Sequence, residues 1–545
     1  TGIFTRKTES YTGAATTIKK EELQKMGNQN VLQSLKSLDP AFHIIENNDF
    51  GSDPNKAPQI QLRGQQSMPD IKGTYNGNPN QPLFILDGFE TDITTVYDLD
   101  MNRVETIVLL KDAAAKALNA GLDMEMVSTC YLTYLKELVQ EGKVKESVLD
   151  DAVRRILEKK YELGLFEDPF RYCNPERAAR ILNAPEVRNA SLRMAERSVV
   201  LLENRESVLP LTAQTRKIAL IGGLSKSQYD MAGAWAATTD RNKVVTLYDA
   251  LVRKGLEVSY AEGYDMKSNQ LTGLQEALQA AEASDVIVVA VGERFGQSGE
   301  KASKVNIAIP EGQQKLVSEL AKTGKPVIAL VMCGRPVIFN EIREHADAVL
   351  CTWWLGSEAG NAICNVLWGE YNPSAKLPMT FPAHVGQIPI YYQNKSTGRP
   401  TALKQTYKAS YIDASTEPAY PFGYGLSYTD FGYSDLKLLP GKAAGVHTEV
   451  SVKVTNTGKC AGEEVVQLYV QDKVASVTRP IKELKGFRKI HLNVGESKTV
   501  AFQITDDALG FYDNEMNYMV EPGDFVFMVG GSSDDVQQIT YNLKE

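Results

Sequence analysis

Glu300 has the setting that most clearly invites chemistry. It lies in GERFGQSGEKASK, residues 292–304, a Gly- and Ser-rich loop that leaves the carboxyl end of the apolar run DVIVVAVG. In open parallel sheets, ligands gather at that end of the strands. Such a loop can present a carboxylic acid to a glycosidic oxygen, and partial burial would keep the acid protonated enough to donate. Read from the residues alone, a solvated loop glutamate is the plainer account, since loop carboxylates are common and rarely catalytic. Glu293, at the start of the same loop, reads as structural. Trp353 and Trp354 in CTWWLGSEAGNA end another apolar strand, where they suit a core as well as the stacking of a sugar ring. His345 and His384 have no partners at metal-ligand spacing and read as structural. The six cysteines, Cys130, Cys173, Cys333, Cys351, Cys364 and Cys460, form no CxxC pair. Neither a zinc site nor a thioredoxin-like site is expected, and buried free thiols are the simpler reading, with a bridge permitted in an oxidising compartment. The turn GGLSKS fits neither GxGxxG nor GxxxxGK[ST], which argues against nucleotide binding. No metal and no organic cofactor is expected.

These residues need elements to hold them. The 545 residues predict roughly three or four domains, and 43% hydrophobic with 23% charged residues is an ordinary globular balance. A net charge of -9 without a basic, aromatic-laced patch excludes nucleic acid as an expected partner. The longest apolar runs have the length of buried strands, short of the ~20 residues of a membrane-spanning helix. The sequence opens on Thr1 without a signal-peptide pattern, as a processed product or fragment would.

Along the chain, short strands (TGAATTI, QIQLRG, PLFILDG, ETIVLL) with a helix from Lys20 to about Leu38 predict a small α+β domain. Helical spacing from Tyr131 to Leu163, broken at Gly142, predicts two helices. From Lys217 to about Trp354, wholly apolar strands alternate with amphipathic helices at about Leu247–Lys254, Leu271–Ala283 and Glu311–Lys322, which predicts a doubly wound parallel α/β sandwich. Residues 391–421 read as an irregular connection. From about Ser434, alternating strands (HTEVSVKVTNTG, EEVVQLYVQD, ESKTVAFQIT, GDFVFMVGG) predict an antiparallel β-sandwich.

Two families are recognisable in these letters. Through GNQNVLQSLKSLDPAF, QIQLRG, NQPLFILDGFE and LLKDAAAKA, residues 1–117 resemble the plug domain of a SusC-like TonB-dependent transporter. Through ALNAGLDMEM, SGEKASK, GKPVIALVMCGRP, WGEYNPSAKLPMTFP, GQIPIYY and PFGYGLSYT, residues 118–545 resemble the C-terminal three-quarters of a periplasmic β-glucosidase of glycoside hydrolase family 3. The two meet at AAKAL, where the plug lacks its closing strands and transmembrane barrel and the hydrolase lacks almost all of its catalytic barrel.

The resemblance implies a multidomain chain: plug-like domain 1–117; last βα unit of a TIM-type barrel and linker 118–190; α/β sandwich 191–391; connecting segment 392–433; fibronectin type III-like domain 434–545. A lone βα unit cannot close a barrel and is expected to dock or lie loosely. The resemblance makes Glu300 the acid/base and Ser298, Lys304, Trp353 and Trp354 substrate contacts. Lys304 stands where the family has an arginine, keeping the charge and losing the planar fork. A retaining glycosidase needs a second carboxylate about 5–5.5 Å from the first. The family's nucleophilic aspartate, in an SDW context, is absent here, which leaves Asp123 of GLDMEM as the first residue to test, with Glu125 beside it. The expected function is hydrolysis of terminal β-linked sugars from oligosaccharides or β-glucosides in the periplasm, with no activity in the chain as written. The competing reading is a plug or binding component of outer-membrane nutrient uptake, with TonB or outer-membrane partners. A third reading, a deletion product or an artefactual fusion joining neighbouring carbohydrate-utilisation genes at the shared AAKAL stretch, explains both truncations.

Overall fold

The computed structural model describes residues 113–126, 130–236, 240–396 and 410–544, together with six short strands ahead of them. It falls into two compact units, 1–175 and 176–545.

In the first unit, β1 (Thr16–Lys19) pairs with β6 (Thr106–Leu109), β2 (Phe42–Ile45) with β3 (Gln59–Leu62), and β4 (Phe84–Leu86) with β5 (Phe89–Thr91), all antiparallel. The strands expected at TGAATTI, QIQLRG, PLFILDG and ETIVLL are among them. The helix expected over Lys20–Leu38 lies outside the described residues. Helices Ala113–Asn119, Cys130–Gln140 and Glu146–Glu162 follow. Gly142, at φ 73, makes the left-handed turn between the last two. They enclose a small core of Ala114, Ala115, Leu118, Leu138, Val144 and Ala152. Residues 122–126, the expected last barrel strand, form no strand. That is a correction to the expected βα unit, and its cause is the lack of neighbours: a strand exists through ladder hydrogen bonds to others.

The second unit is built on a six-stranded sheet of order β7-β12-β11-β10-β8-β9: Val200–Asn204, Ala348–Cys351, Val327–Met332, Val286–Gly292, Lys217–Ile221 and Glu257–Ala261. All neighbours are parallel except β7, which adds antiparallel to β12 at the edge. Both faces of the central strands are covered, so alternate residues of β10 feed two cores: Ile287, Val289 and Val291 on one side, Val286, Val288 and Ala290 on the other. Each fully buried side chain of this kind contributes roughly 1.5–3 kcal/mol, which is why wholly apolar strands persist here.

After the irregular 410–430 stretch come a three-stranded sheet, β13-β14-β17 (Phe431–Pro440, Val446–Asn456, Ser497–Thr505), and a four-stranded one, β16-β15-β20-β21 (Glu483–Leu492, Gly462–Asp472, Gly523–Gly530, Val536–Leu543). A two-stranded ribbon of β18 (Phe511–Tyr512) and β19 (Tyr518–Met519) lies between β17 and β20 in sequence. The inner faces of the two main sheets meet in one core centred on Val452, Leu468, Phe502 and Phe527.

Two adjacent glutamates lock the sandwich to the α/β layers. Glu463 takes Arg197 at 3.3 Å, Lys489 at 3.0 Å and the Ser374 hydroxyl at 3.2 Å. Glu464 takes Lys376 at 3.2 Å and the Tyr433 hydroxyl at 2.8 Å. Burial pushes the Glu463 carboxyl up, but the bonds and charges of Lys489 and Arg197, with Ser374, outweigh it and leave it below the usual range. A depressed carboxylate adds stability above its unfolded value and loses it as pH falls through the folded one. Calorimetry between about pH 5 and pH 3 should therefore record a falling unfolding temperature. Glu463→Gln should flatten that acid limb, and an unchanged limb would show that the clamp carries none of it.

Candidate functional site

The candidate site begins where β10 leaves the sheet. At Gly292, φ 130, an added Cβ would lie 1.9 Å from the Met332 carbonyl oxygen, so no other residue lets the two strand ends come this close. The next residue, Glu293, is 1% exposed, and its N–H donates to that same carbonyl at 2.8 Å. Its carboxylate accepts Lys304 Nζ at 2.9 Å and Arg335 Nε at 3.2 Å. Arg335, just beyond β11, also donates from Nη2 to the carbonyls of Gln297 and, at 2.6 Å, Ala302. Asp230, wholly buried, accepts the Phe295 N–H at 2.9 Å and the Ser227 hydroxyl at 2.5 Å. The Gln297 side chain accepts the Arg294 N–H at 2.9 Å. Residues 293–304 are thus tied at both ends and in the middle. A buried carboxylate left without its cations costs about 3–5 kcal/mol, which sets Glu293 apart from the exposed charges nearby.

Glu300 sits at the tip of this loop, exposed, between Gly299 at φ 111 and Lys301 at φ 57. The partial burial expected of it is absent. Ser298 and Trp354 share one wall: a Cβ on Gly334 would lie 2.7 Å from Ser298 Oγ and 2.6 Å from the Trp354 ring. The Trp354 indole nitrogen is buried with no hydrogen-bond partner. Trp353 belongs to the core instead, since its indole N–H donates to the Ser198 carbonyl at 3.1 Å and its ring meets Phe381 edge-on at 6.0 Å. Lys304 is committed to Glu293, an intramolecular contact where a substrate contact was expected.

Three contributors were not singled out from the sequence. Arg335 and Asp230 build the loop, and Trp235, 75% exposed, has its ring 3.9 Å from the Cβ direction of Gly299. Tyr229 and Phe295 lie 6.1 Å apart beneath the Arg241 guanidinium, which is 4.6 and 4.9 Å from their centroids. The signal for Trp235 was a large aromatic in GAWAATTD, a small-residue stretch with no apolar period to bury it.

Asp123 and Glu125 are described within the first unit. Arg155 grips Asp123 through Nε at 2.9 Å and Nη2 at 2.6 Å, and these bonds hold the Asp123 carboxyl below its usual range. Glu125 accepts the Tyr131 N–H at 2.7 Å. Cys333, Cys351 and Cys364 are buried free thiols, whereas Cys130 and Cys460 are half-buried and Cys173 is exposed. Among the described residues, no three His, Cys, Asp or Glu side chains gather as a metal site.

Comparison with known proteins now bears on this geometry. Residues 199–428 match the glycosyl hydrolase family 3 C-terminal domain, and residues 88–159 the family's N-terminal domain. The greater part of this chain belongs to glycoside hydrolase family 3. Residues 464–533 match a fibronectin type III-like domain, and residues 7–121 a TonB-dependent receptor plug domain, which overlaps the family 3 N-terminal match over 88–121. A periplasmic beta-glucosidase of Salmonella typhimurium is 42% identical over 463 residues, covering 79% of this chain and 60% of the relative. A beta-xylosidase of Formosa agariphila is 36% identical over 469 residues, covering 82% and 64%. The crystal structure of a beta-glucosidase from Listeria innocua in complex with glucose superimposes with a TM-score of 0.72 at 38% identity, covering 80% of this chain and 60% of that one. The chain thus spans 60–64% of the length of these family 3 relatives.

The shared wall at Gly334 is open to test. Gly334→Ala should displace Ser298 and the Trp354 ring and cost about 1–3 kcal/mol of stability, as overpacking does. Thermal unfolding together with indole fluorescence reads this, and a silent substitution would mean that the wall yields freely.

Proposed function

We propose that this chain carries the acid/base part of a retaining hydrolase of terminal β-linked sugars, with Glu300 as acid and base. The observation that carries this reading is an exposed, unencumbered carboxylate at the tip of a loop tied down to the C-terminal edge of a parallel sheet. In the retaining route the acid gives its proton to the glycosidic oxygen while a second carboxylate, about 5–5.5 Å away, attacks the anomeric carbon. The first group, now a base, takes a proton from the water that releases the sugar. Glu300 suits both proton steps. Ser298 Oγ would meet a substrate hydroxyl, Trp354 would line the same wall with its ring, and Trp235 offers a ring face to the leaving group. Lys304 would act at one remove, through Glu293. No step calls for a metal or organic cofactor.

The substrate class is an oligosaccharide or aryl glycoside with a terminal β-linked glucose, or xylose, since relatives of both names are similar to this chain. The periplasm is the location that the Salmonella relative supports. Among the described residues no helix is long and apolar enough to cross a membrane. The proposed organisation keeps the domains at 1–117, 118–190, 191–391, 392–433 and 434–545.

What the chain does not supply is the nucleophile. The family 3 N-terminal match covers residues 88–159, of which 88–121 also match the plug, and this reading takes the stretch as little more than one barrel unit. Asp123, the remaining candidate, is already gripped by Arg155, and a carboxylate so satisfied is a poor attacking group. The polypeptide is therefore proposed to be inactive by itself. The plug match favours a second reading for residues 7–121 alone, a component of outer-membrane uptake, joined here to hydrolase sequence.

Hydrolysis of aryl β-glucosides tests both claims. The chain alone should show no turnover above background, and turnover abolished by Asp123→Asn would place the nucleophile there and refute inactivity. A chimaera with an intact family 3 barrel ahead of residue 176 should be active. Glu300→Gln in it should lose about 10²–10⁴-fold in kcat, and an unimpaired variant would remove Glu300 from the mechanism.

A further inference from the structure

We infer that Arg335 is the positioning residue for Glu300, acting through backbone rather than through charge alone. The inference rests on Glu300 being the acid/base. Its geometric basis is a match of donors to acceptors. Nε of Arg335 donates to the Glu293 carboxylate at 3.2 Å, while Nη2 donates to the carbonyls of Gln297 and Ala302. A terminal guanidinium nitrogen carries two N–H groups in one plane, so one nitrogen can satisfy both carbonyls at once. Those carbonyls bracket the tip, residues 298–301. Holding them on one atom forces the four residues between them into a tight reversal.

The tip shows that constraint. Gly299 has φ 111 and Lys301 φ 57, so Glu300 stands between two left-handed residues. Lysine gains nothing from that region, and a non-glycine residue held there costs on the order of 1–3 kcal/mol unless its surroundings impose it. Lys304 cannot impose it. Its ammonium meets Glu293 alone and joins the loop only to its own base. Arg335 comes from the end of the neighbouring strand β11, 42 residues from Glu293 in sequence, and ties the tip to the sheet. Of the two cations on Glu293, Lys304 brings an ammonium and Arg335 the planar fork.

A charge-compensating role and a positioning role predict opposite rankings. If Arg335 only neutralises Glu293, Arg335→Lys is nearly silent, because the charge stays, and Glu293→Gln does the greater damage by leaving Arg335 without its anion. If Arg335 positions the tip, Arg335→Lys does the damage, because one ammonium cannot hold the carboxylate and two carbonyls together. Glu293→Gln then does little, because the carbonyl contacts persist.

Hydrogen exchange read by mass spectrometry on this chain decides between them. Arg335→Lys should speed exchange of the peptide covering 294–304 by roughly ten-fold or more, the worth of one lost charge-assisted hydrogen bond, with peptides from β10 and β11 unchanged. The Glu300 side-chain carboxyl resonance, in protein labelled at glutamate, should broaden or split in the same variant and not in Glu293→Gln. Should Arg335→Lys unfold, Glu293→Gln/Arg335→Met leaves no buried carboxylate unpaired and should show the same loop-confined exchange. An unchanged loop, a change spread evenly over the sheet, or the reverse ranking would overturn the inference. Loop exchange does not depend on whether Glu300 transfers a proton, so failure here is separate from failure of the Glu300→Gln chimaera.

Discussion

The meeting of the buried Glu293 carboxylate with Arg335 is the interaction on which the rest of the candidate site depends. The carboxylate is buried one residue past the end of β10, beside the end of β11, where the parallel register brings Gly292 opposite Met332. A charge in that position survives only if cations come to it. Lys304 comes from the far end of the loop and Arg335 from the adjacent strand. Lys304 closes the base of the loop on Glu293, and the Gln297 and Ala302 carbonyls that Arg335 also holds turn its tip, with Glu300, outward. The burial of one glutamate and the exposure of the other are thus two consequences of one geometry. Asp230 extends it, because its buried carboxylate takes the Phe295 N–H and fixes the first turn of the same loop.

A second set of polar contacts makes 176–545 one body. The YPFGYGLSYT stretch, residues 420–429, runs between the sheet and the sandwich, and its tyrosine hydroxyls reach back into the α/β layers: Tyr420 to Glu203, Tyr424 to the Leu202 carbonyl and Tyr428 to the Val366 carbonyl. Gly423 has room for no side chain, since an added Cβ would meet Gln467 of the sandwich at 2.1 Å. Buried hydroxyls with fixed acceptors specify one docking arrangement, whereas an apolar seam would tolerate several. The glutamate pair 463 and 464 adds charge to the same seam.

What the sequence revealed follows physical lines. The wholly apolar runs of β10 and β11 announce a doubly covered parallel sheet because nothing else buries seven consecutive residues. The antiparallel edge strand β7 escapes such a reading, since SVVLLEN follows a helix directly and is too short to show a period. In the sandwich, β14, β15, β17 and β20 are legible from alternation, while β13, β16 and β21 are half-exposed along much of their length and blur it. The loop that carries Glu300 is legible from its strand and its Gly and Ser residues, while the role proposed for Glu300 comes from the resemblance and not from those letters. Arg335 is not legible, because its partners are 33 to 42 residues distant and only the register of β10 with β11 brings them together. The strand expected at GLDMEM fails for the converse reason: its letters suit a barrel, and a strand without neighbours has no ladder to join.

That last failure bears on the chemistry. In the retaining mechanism proton transfer and nucleophilic attack act on one bond, and the acid is useful only when the attacking carboxylate is held at fixed distance on the other side of the sugar. Here the loop that presents Glu300 is built entirely from within 176–545: Glu293, Lys304, Arg335 and Asp230 depend on no barrel residue. On the proposed reading the acid keeps its geometry independently of the first unit, whose described helices enclose only a small core. On that proposal, presenting the acid and holding the nucleophile are separate folding problems, and the first is solved by residues 293–335 with their partner Asp230.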